Sequence, residues 1–395
     1  MGDPSGTTSS VGRILLVDDN PTNLKVLHDT LKDRGHELRV ARSGEQALHV
    51  AAKSLPDLIL LDIMMPPGID GYETIRRLKQ DPVTKDMSVI FLSAVDETAD
   101  KVKGLELGAV DFISKPFKAE EVMARVNTHL MLQRLRQELE AANRRMKRDL
   151  DAAARVQHAT LPARPPDDTR VRVGWRYRPC DELGGDSLGV HCLDGHHLSF
   201  FVIDVSGHGV PSALLAVSLS RSLAPSADPS CLVRAFDGGV TSPAEVAARL
   251  NLLYRTSGPT DRYFTIAYGV LDLETRRLRY TTAGHAGPIL IRQGTPVAVV
   301  ARPSFPIGMF DDVAFAECEV QLAPADRVYF VSDGCYEETN DADEPFDLAR
   351  LAAALAERAS RSLGDSIDYA CQALATWHAS DRLSDDLSIV GVELT

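Results

Sequence analysis

No apolar run in this chain approaches the roughly 18 residues that a membrane-crossing helix needs, so no membrane partner is expected. Cysteine is scarce: Cys180, Cys192, Cys231, Cys318, Cys335 and Cys371 are scattered, with no CxxC spacing. That argues against a disulfide framework or a cysteine zinc site and points to free thiols in a reducing, cytoplasmic compartment. Positive charge is in deficit, with 43 Lys and Arg against 56 Asp and Glu and a net charge of −13. A nucleic-acid partner, which calls for a basic face, is therefore not expected. An acidic surface also repels phosphorylated partners, so any phosphoprotein must be gathered locally, for instance by metal ions. The opening Met1-Gly2-Asp3-Pro4-Ser5-Gly6 places Gly6 where a myristoylation motif wants Ser or Thr, and residues 1–12 read as a disordered tail. At 395 residues and 44% hydrophobic, the chain should hold two to three packed domains.

What is present is two sets of aspartates suited to phosphate chemistry, with a helical rod between them. In the first region, Ile14–Val17, Leu58–Leu61, Val89–Leu92 and Val110–Ile113 are continuous apolar runs, and Arg39–Ala41 fits a further strand. Helical spacing at Asn23–Leu31 and Gly44–Ala52 separates them. Continuous rather than alternating runs indicate a parallel sheet buried on both faces, a doubly wound α/β domain. Asp18 and Asp19, Asp62, Ser93 and Lys115 each fall at or just past a strand's C-terminal end, where open parallel sheets bind ligands. Three carboxylates there can hold one Mg²⁺. Asp62 could then take a phosphoryl group as an acyl phosphate, with a lysine and a hydroxyl to receive it.

The segments VDDN, LLDIMMPPGIDGYE, FLSA and DFISKPF resemble the receiver domain of bacterial response regulators, over residues 13–130. The resemblance implies Asp62 as phospho-acceptor and Asp18 and Asp19 as metal acids, with the Met64 carbonyl as a further Mg²⁺ ligand. It also implies Ser93 and Phe112 as a switch pair, Lys115 as the phosphate-binding lysine, and a histidine kinase as the partner. The Lys115-Pro116 bond is a candidate for the cis form.

From Ala119 the sequence runs without Gly or Pro to Leu161. Leu132, Leu135, Leu139, Ala142 and Met146 follow the 3-4 spacing of a coiled-coil seam, which continues at Leu150, Ala153 and Gln157. Two steps of four meet at Met146–Leu150, a stutter that locally unwinds a supercoil. Residues 131–161 thus read as a coiled coil joining two copies of the chain, or as a lone solvated helix between domains. The segment AARVQHATLP resembles the regulatory helix ahead of SpoIIE/RsbU-type phosphatase domains. Pro162, Pro165 and Pro166 end it and mark a linker over residues 162–170.

Beyond it, strand signals at Leu198–Val205, Tyr263–Leu271, Leu278–Ala283, Ile289–Arg292, Arg327–Val331 and Leu387–Glu393 alternate or form hairpins. Helical patterns lie at Pro211–Leu223, Pro243–Tyr254, Leu348–Arg361 and Ile367–His378. These indicate layered, mostly antiparallel sheets flanked by helices. Asp186, Asp204, Asp333 and Asp385 stand in GGD, DVSGHG, SDG and SDD turns at strand edges, where glycine permits close backbone approach. Carboxylates without histidine or cysteine favour Mg²⁺ or Mn²⁺ over zinc. Two such ions can activate a water for in-line attack on phosphorus. His208 and His285 are candidate general acids or bases, or loop anchors. The Pro225–Pro243 connection reads as a substrate-facing flap or a disordered stretch.

The segments CDELGGD, FFVIDVSGHGVPSALL, YFTIAYGVLD, TTAGHAGPIL, FPIGMF, YFVSDGCYE and SDDLSIV resemble the SpoIIE/RsbU branch of type 2C Ser/Thr phosphatases, over residues 171–395. The resemblance implies an α/β/β/α sandwich and two Mn²⁺ or Mg²⁺ ions, with Asp204 bridging them. Val205 through its carbonyl, Asp186, Asp333 and Asp385 would complete the set, with Asp386 in support. Gly189 stands where a further acid is common, which leaves a third metal without its ligand. The implied substrate is a phosphorylated STAS-type anti-sigma-factor antagonist. The competing expectation is a silent adaptor that binds a sigma or anti-sigma factor, which would not need the acids to be intact.

Overall fold

Each apolar run in the first third of the chain becomes a strand of one parallel sheet. The computed structural model describes residues 11–93, 98–228, 230–235, 238–254, 262–299, 301–378 and 383–395, the side chains of 98–101 excepted. The expected tail therefore lies, up to residue 10, outside the described residues. Strands β1 (Arg13–Val17), β2 (Glu37–Ala41), β3 (Leu58–Asp62), β4 (Ser88–Ser93) and β5 (Asp111–Ser114) run parallel in the order β2-β1-β3-β4-β5. Helices α1 (Pro21–Lys32), α2 (Gly44–Ser54), α3 (Gly71–Gln80) and α4 (Thr98–Glu106) connect them. Alternate residues of one strand feed two cores: Leu15, Ile59, Leu61 and Phe91 pack on one face, Ile14, Leu16, Leu60 and Leu92 on the other. That is why the runs are continuous rather than alternating. The strand order reverses direction at β1 and β3, the switch point at which such sheets open a crevice.

Helix α5 (Ala119–His158) is a single element of 40 residues. The chain divides into two compact units, Met1–Met146 and Lys147–Thr395. Along α5 the expected seam residues Leu132, Leu135, Leu139 and Met146 are exposed. Gln157 departs from that pattern: it is only 3% exposed and is buried within its own chain, so the seam does not extend to it.

The second unit stacks two antiparallel sheets. Its strands are β6 (Val171–Arg178), β7 (Ser187–Cys192), β8 (His197–Val205), β9 (Phe264–Asp272), β10 (Arg277–Ala283), β11 (Ile289–Arg292), β12 (Thr295–Val297), β13 (Cys318–Gln321), β14 (Arg327–Val331) and β15 (Leu387–Leu394). They order as β13-β10-β9-β8-β7 and β12-β11-β14-β15-β6. Leu198, Phe200 and Val202 of one sheet interdigitate with Val328, Phe330 and Val390 of the other. Helices α6 (Val210–Ser222) and α7 (Pro243–Leu253) cover the first sheet, and α8 (Asp347–Glu357) and α9 (Leu363–His378) the second. The layers are helix, sheet, sheet, helix.

Helix α8 stops at Glu357, short of the expected Arg361, because the carbonyls of Arg358 and Arg361 leave the helix to accept the Arg327 guanidinium. Within the Pro225–Pro243 connection, Leu232 and Val233 are buried in the core under α6 and α7, which a free flap would not allow. Positions 229, 236 and 237 of that connection lie outside the described residues. All six cysteines are free thiols.

Candidate functional site

Asp18 and Asp19 leave β1, and Asp62 ends β3, so the switch point brings their carboxylates together. Ligand oxygens of the three lie within 4.8 Å of one another. Lys115, just beyond β5, reaches in from the far edge. Its Nζ donates to Asp18 Oδ2 at 2.8 Å and lies 2.7 Å from Asp62 Oδ2. Asn23 in α1 donates to both Asp18 oxygens at 3.1 and 3.0 Å, a contact not anticipated from the sequence. Burial, chiefly, pushes the Asp62 carboxyl above the usual carboxylate range. The Lys115 hydrogen bond opposes this in part, and the Asp18 charge adds to it. Burial alone would lower Lys115, but Asp18 and Asp62 together raise it, so it stays cationic. One cation cannot neutralise three clustered carboxylates, and an oxygen-only donor set fits Mg²⁺. Ser93 is buried at the end of β4, and Phe112 stacks on Phe91 at a centroid distance of 5.9 Å. The Lys115-Pro116 bond is cis, as is Pro66-Pro67. Met64 is exposed, and its N–H lies 3.4 Å from Asp62 Oδ1.

In the second unit a cavity of about 610 Å³ is lined by Asp204, Val205, Asp333 and Asp385, with His208 and Tyr263 also on its wall. Asp204 and Val205 end β8, Asp333 opens a 3-10 turn two residues past β14, and Asp385 precedes β15. Asp186 does not line the cavity. It is 2% exposed, and its Oδ2 is sealed without a hydrogen bond. Burial, followed by the charges of Asp204 and Asp386, holds Asp186 well above the usual range. Burial and the Asp333, Asp385, Asp386 and Glu337 charges push Asp204 up to about 7. Asp333 and Asp385 are raised as well, again chiefly by burial. A sealed, unpartnered carboxylate oxygen beside mutually repelling acids suits divalent cations, and oxygen donors suit Mn²⁺ or Mg²⁺.

Asp386 uses its carboxylate on the backbone. Oδ1 accepts the Cys180 N–H at 2.8 Å and Oδ2 the Asp186 N–H at 3.2 Å. It thereby ties the CDELGGD loop to β15. Gly184 is needed for that approach, since a Cβ there would sit 2.5 Å from both Asp386 Oδ2 and Tyr177 Oη. The two histidines part company. His208 is exposed on the cavity wall, whereas His285 is absent from the lining. Its Nε2 is sealed without a partner, Nδ1 lies 3.1 Å from the Ala286 carbonyl, and burial lowers the ring to about 4. The ring stays neutral, and the contact the structure gives it is to its own loop, through Nδ1.

Three contributors escape a reading of the sequence. Cys180 comes within 4.8 Å of Asp385 and Asp386, and burial together with Asp386 pushes its thiol up to about 12. Buried Glu338 accepts the N–H groups of Ser384 at 2.6 Å and Asp385 at 3.4 Å, fixing the SDD turn. Arg262 donates to the Ser206 carbonyl at 2.6 Å. Their partners are far away in sequence. Only the acids of the YEE run after SDG gave a local signal for Glu338.

The receiver-domain model for response regulators matches residues 14–127, and the model for Stage II sporulation protein E (SpoIIE) matches residues 194–395, just over half of the chain. Response regulator PleD of Caulobacter vibrioides (strain NA1000 / CB15N) is 43% identical over 148 residues, 36% of this chain and 32% of that protein. The alkaline phosphatase synthesis transcriptional regulatory protein PhoP of Bacillus subtilis (strain 168) is 41% identical over 137 residues, 35% of this chain and 54% of its own length. The chain thus spans a third to about half of the length of these curated relatives. The SiaA-PP2C domain of Pseudomonas aeruginosa superposes with a TM-score of 0.55 at 22% identity, over 65% of this chain and 99% of that one, a likeness of fold. With a response-regulator receiver domain ahead of the matched segment, this chain belongs to the SpoIIE family.

Proposed function

We propose that this chain is a two-component response regulator in which phosphorylation of Asp62 by a histidine kinase controls a Mn²⁺- or Mg²⁺-dependent protein-serine/threonine phosphatase. The observation that carries the reading is the convergence of Asp204, Asp333 and Asp385 on one cavity, with the sealed oxygen of Asp186 behind it. An adaptor has no need of four intact acids held above their ordinary pKa range. Asp204, Asp333, Asp385, Asp186 and the Val205 carbonyl would hold the ions, which when bound polarise the phosphoryl group and make water a nucleophile at neutral pH. Asp386 and Glu338 orient the ligand loops through backbone hydrogen bonds. His208, on the cavity wall, is our candidate acid for a leaving alkoxide. In the receiver, Asp18, Asp19, Asp62 and the Met64 carbonyl would hold Mg²⁺. Lys115 neutralises the phosphate on Asp62, and Ser93 and Phe112 respond to it.

By resemblance to the family, we propose a phosphorylated STAS-type anti-sigma-factor antagonist as the substrate. The exposed Leu132, Leu135, Leu139 and Met146 supply a coiled-coil face for a second copy. We divide the chain into a receiver at 13–130, a regulatory helix at 131–161, a linker at 162–170 and a phosphatase domain at 171–395. No helix among the described residues is long and apolar enough to cross a membrane. The location we propose is the cytoplasm, on the six free thiols, which suit a reducing compartment. The test is aryl phosphate hydrolysis by the intact chain. Turnover should require Mn²⁺ or Mg²⁺ and fall by about 100-fold or more in Asp204→Ala, since losing a residue that would hold the ions would remove several kcal/mol of barrier lowering. Full turnover in chelator would reject the reading.

A further inference from the structure

The ladder between β8 and β9 pairs Val205 with Phe264 and then extends by one bond, Ser206 N–H to the Tyr263 carbonyl at 3.0 Å. Here the backbone pairing stops, and the Ser206 carbonyl is served by side chains. Arg262, the next residue back along the partner strand, donates Nη1 to that carbonyl at 2.6 Å and to Ser212 Oγ at 2.9 Å. Ser212, fully buried in the first turn of α6, itself donates to the Ser206 carbonyl at 3.3 Å. Gly207 is shaped around this arrangement. Its φ of +79° suits glycine, and a Cβ there would lie 2.7 Å from Arg262 Nη1. On the other side, Gly185 permits the approach of the Val205 and Gly207 carbonyls, 2.7 and 3.1 Å from where its Cβ would be. The segment Asp204–Gly207 therefore has a guanidinium clamp on one flank and the GGD loop on the other. Among the described residues, no Lys or Arg lines the cavity.

We infer that Arg262 is the positioning residue for this segment: through Ser206 it aims the Asp204 carboxylate and the Val205 carbonyl at the metal centre. The inference rests on the proposed reading of that centre. A guanidinium acting only by its charge would repel cations, so neutralising it would tighten metal binding. A guanidinium acting as a clamp would, when lost, weaken it. The two roles have opposite signs.

The experiment titrates the intact, metal-stripped chain with Mn²⁺ and counts free ion by electron paramagnetic resonance. An Asp19→Asn background removes the receiver contribution. Arg262→Ala should need roughly 10–100-fold more Mn²⁺ for half-saturation, the range seen when an outer-shell partner is removed. Arg262→Lys, whose ammonium can still donate to the Ser206 carbonyl, should recover most of the affinity. Ser212→Ala, which removes the lesser donor, should shift the isotherm in the same direction by a smaller factor and serves if Arg262→Ala does not fold. A purely structural role would lower the melting temperature while leaving the Mn²⁺ isotherm of the folded protein unmoved. Unchanged or tighter binding in Arg262→Ala, or in Ser212→Ala if that variant must stand in, overturns the inference. A parent chain without measurable Mn²⁺ binding overturns the proposed phosphatase centre along with it.

Discussion

Gln157 grips Gly184 with both ends of its carboxamide, donating Nε2–H to the Gly184 carbonyl at 2.7 Å and accepting the Gly184 N–H at 3.3 Å. One partner lies in the last turn of α5, the other two residues before Asp186. The helix expected to form a coil thus ends on the loop that carries a proposed metal ligand. Any rotation of that last turn pulls directly on the loop.

Breaking this grip should be costly. Gln157→Ala leaves a buried peptide N–H and C=O without partners, at about 1–3 kcal/mol for each group left unsatisfied. Urea unfolding of the purified chain should show a lower midpoint for the second unit. An unchanged midpoint would mean that water replaces the glutamine without loss.

The acids of the cavity predict an inverted pH response. Asp204, ordinarily near 3.8, is held at about 7 in the metal-free fold. Between those values the folded chain keeps a proton that the unfolded chain has released. This group's stability contribution is therefore full below about pH 4, declines as pH rises through about 7, and levels off above. In chelator, the unfolding midpoint of the second unit should fall from about pH 5 to about pH 8. With excess Mn²⁺ the ionised carboxylate is the form required, and the trend should flatten or reverse. Parallel profiles with and without Mn²⁺ would rule out Asp204 as a ligand.

Asp62 should be the sole acceptor of phosphate from a small acyl-phosphate donor in Mg²⁺. It is the carboxylate that ends β3, and Lys115 stands 2.7 Å away to neutralise the product. Intact mass should rise by one phosphoryl group in the parent chain and not in Asp62→Ala. Undiminished labelling of the variant would move the acceptor elsewhere.

The rod should be register-sensitive. Deleting Lys147 shortens the Met146–Leu150 step from four to three, replacing the two successive fours by two successive threes, and shifts every residue before it by about 100° around the helix axis relative to Gln157. Phosphatase turnover of the deletion variant should stop responding to the phosphorylation state of Asp62. A response equal to that of the parent chain would show that register is not the variable.

The receiver was readable because its chemistry is local to its strands. LILLD announces both a strand buried on two faces and the acid at its end, and the Asp18, Asp62 and Lys115 contacts follow once the strands align. The acids that line the cavity are legible as glycine- or acid-flanked turns. What holds them in place is not. Asp386 serves Cys180 and Asp186, about 200 residues earlier, and Arg262 serves a carbonyl 56 residues before it. β6 is not legible in the sequence because VRVGWRYR mixes glycine and arginine into a strand that pairs with β15. There Arg172 lies opposite Glu393 and bonds to it at 2.9 Å. Gln157 fits the heptad spacing by sequence alone, and only the packing reveals its other use.

Control of the phosphatase by the receiver is tested most directly by one rate. The intact chain is given a phosphoserine protein substrate in Mn²⁺ and Mg²⁺, and turnover is measured before and after treatment with an acyl-phosphate donor, in the parent and in Asp62→Ala. The account predicts that phosphorylation changes parent turnover at least severalfold while Asp62→Ala does not respond. Equal turnover in phosphorylated and unphosphorylated parent chain would contradict it.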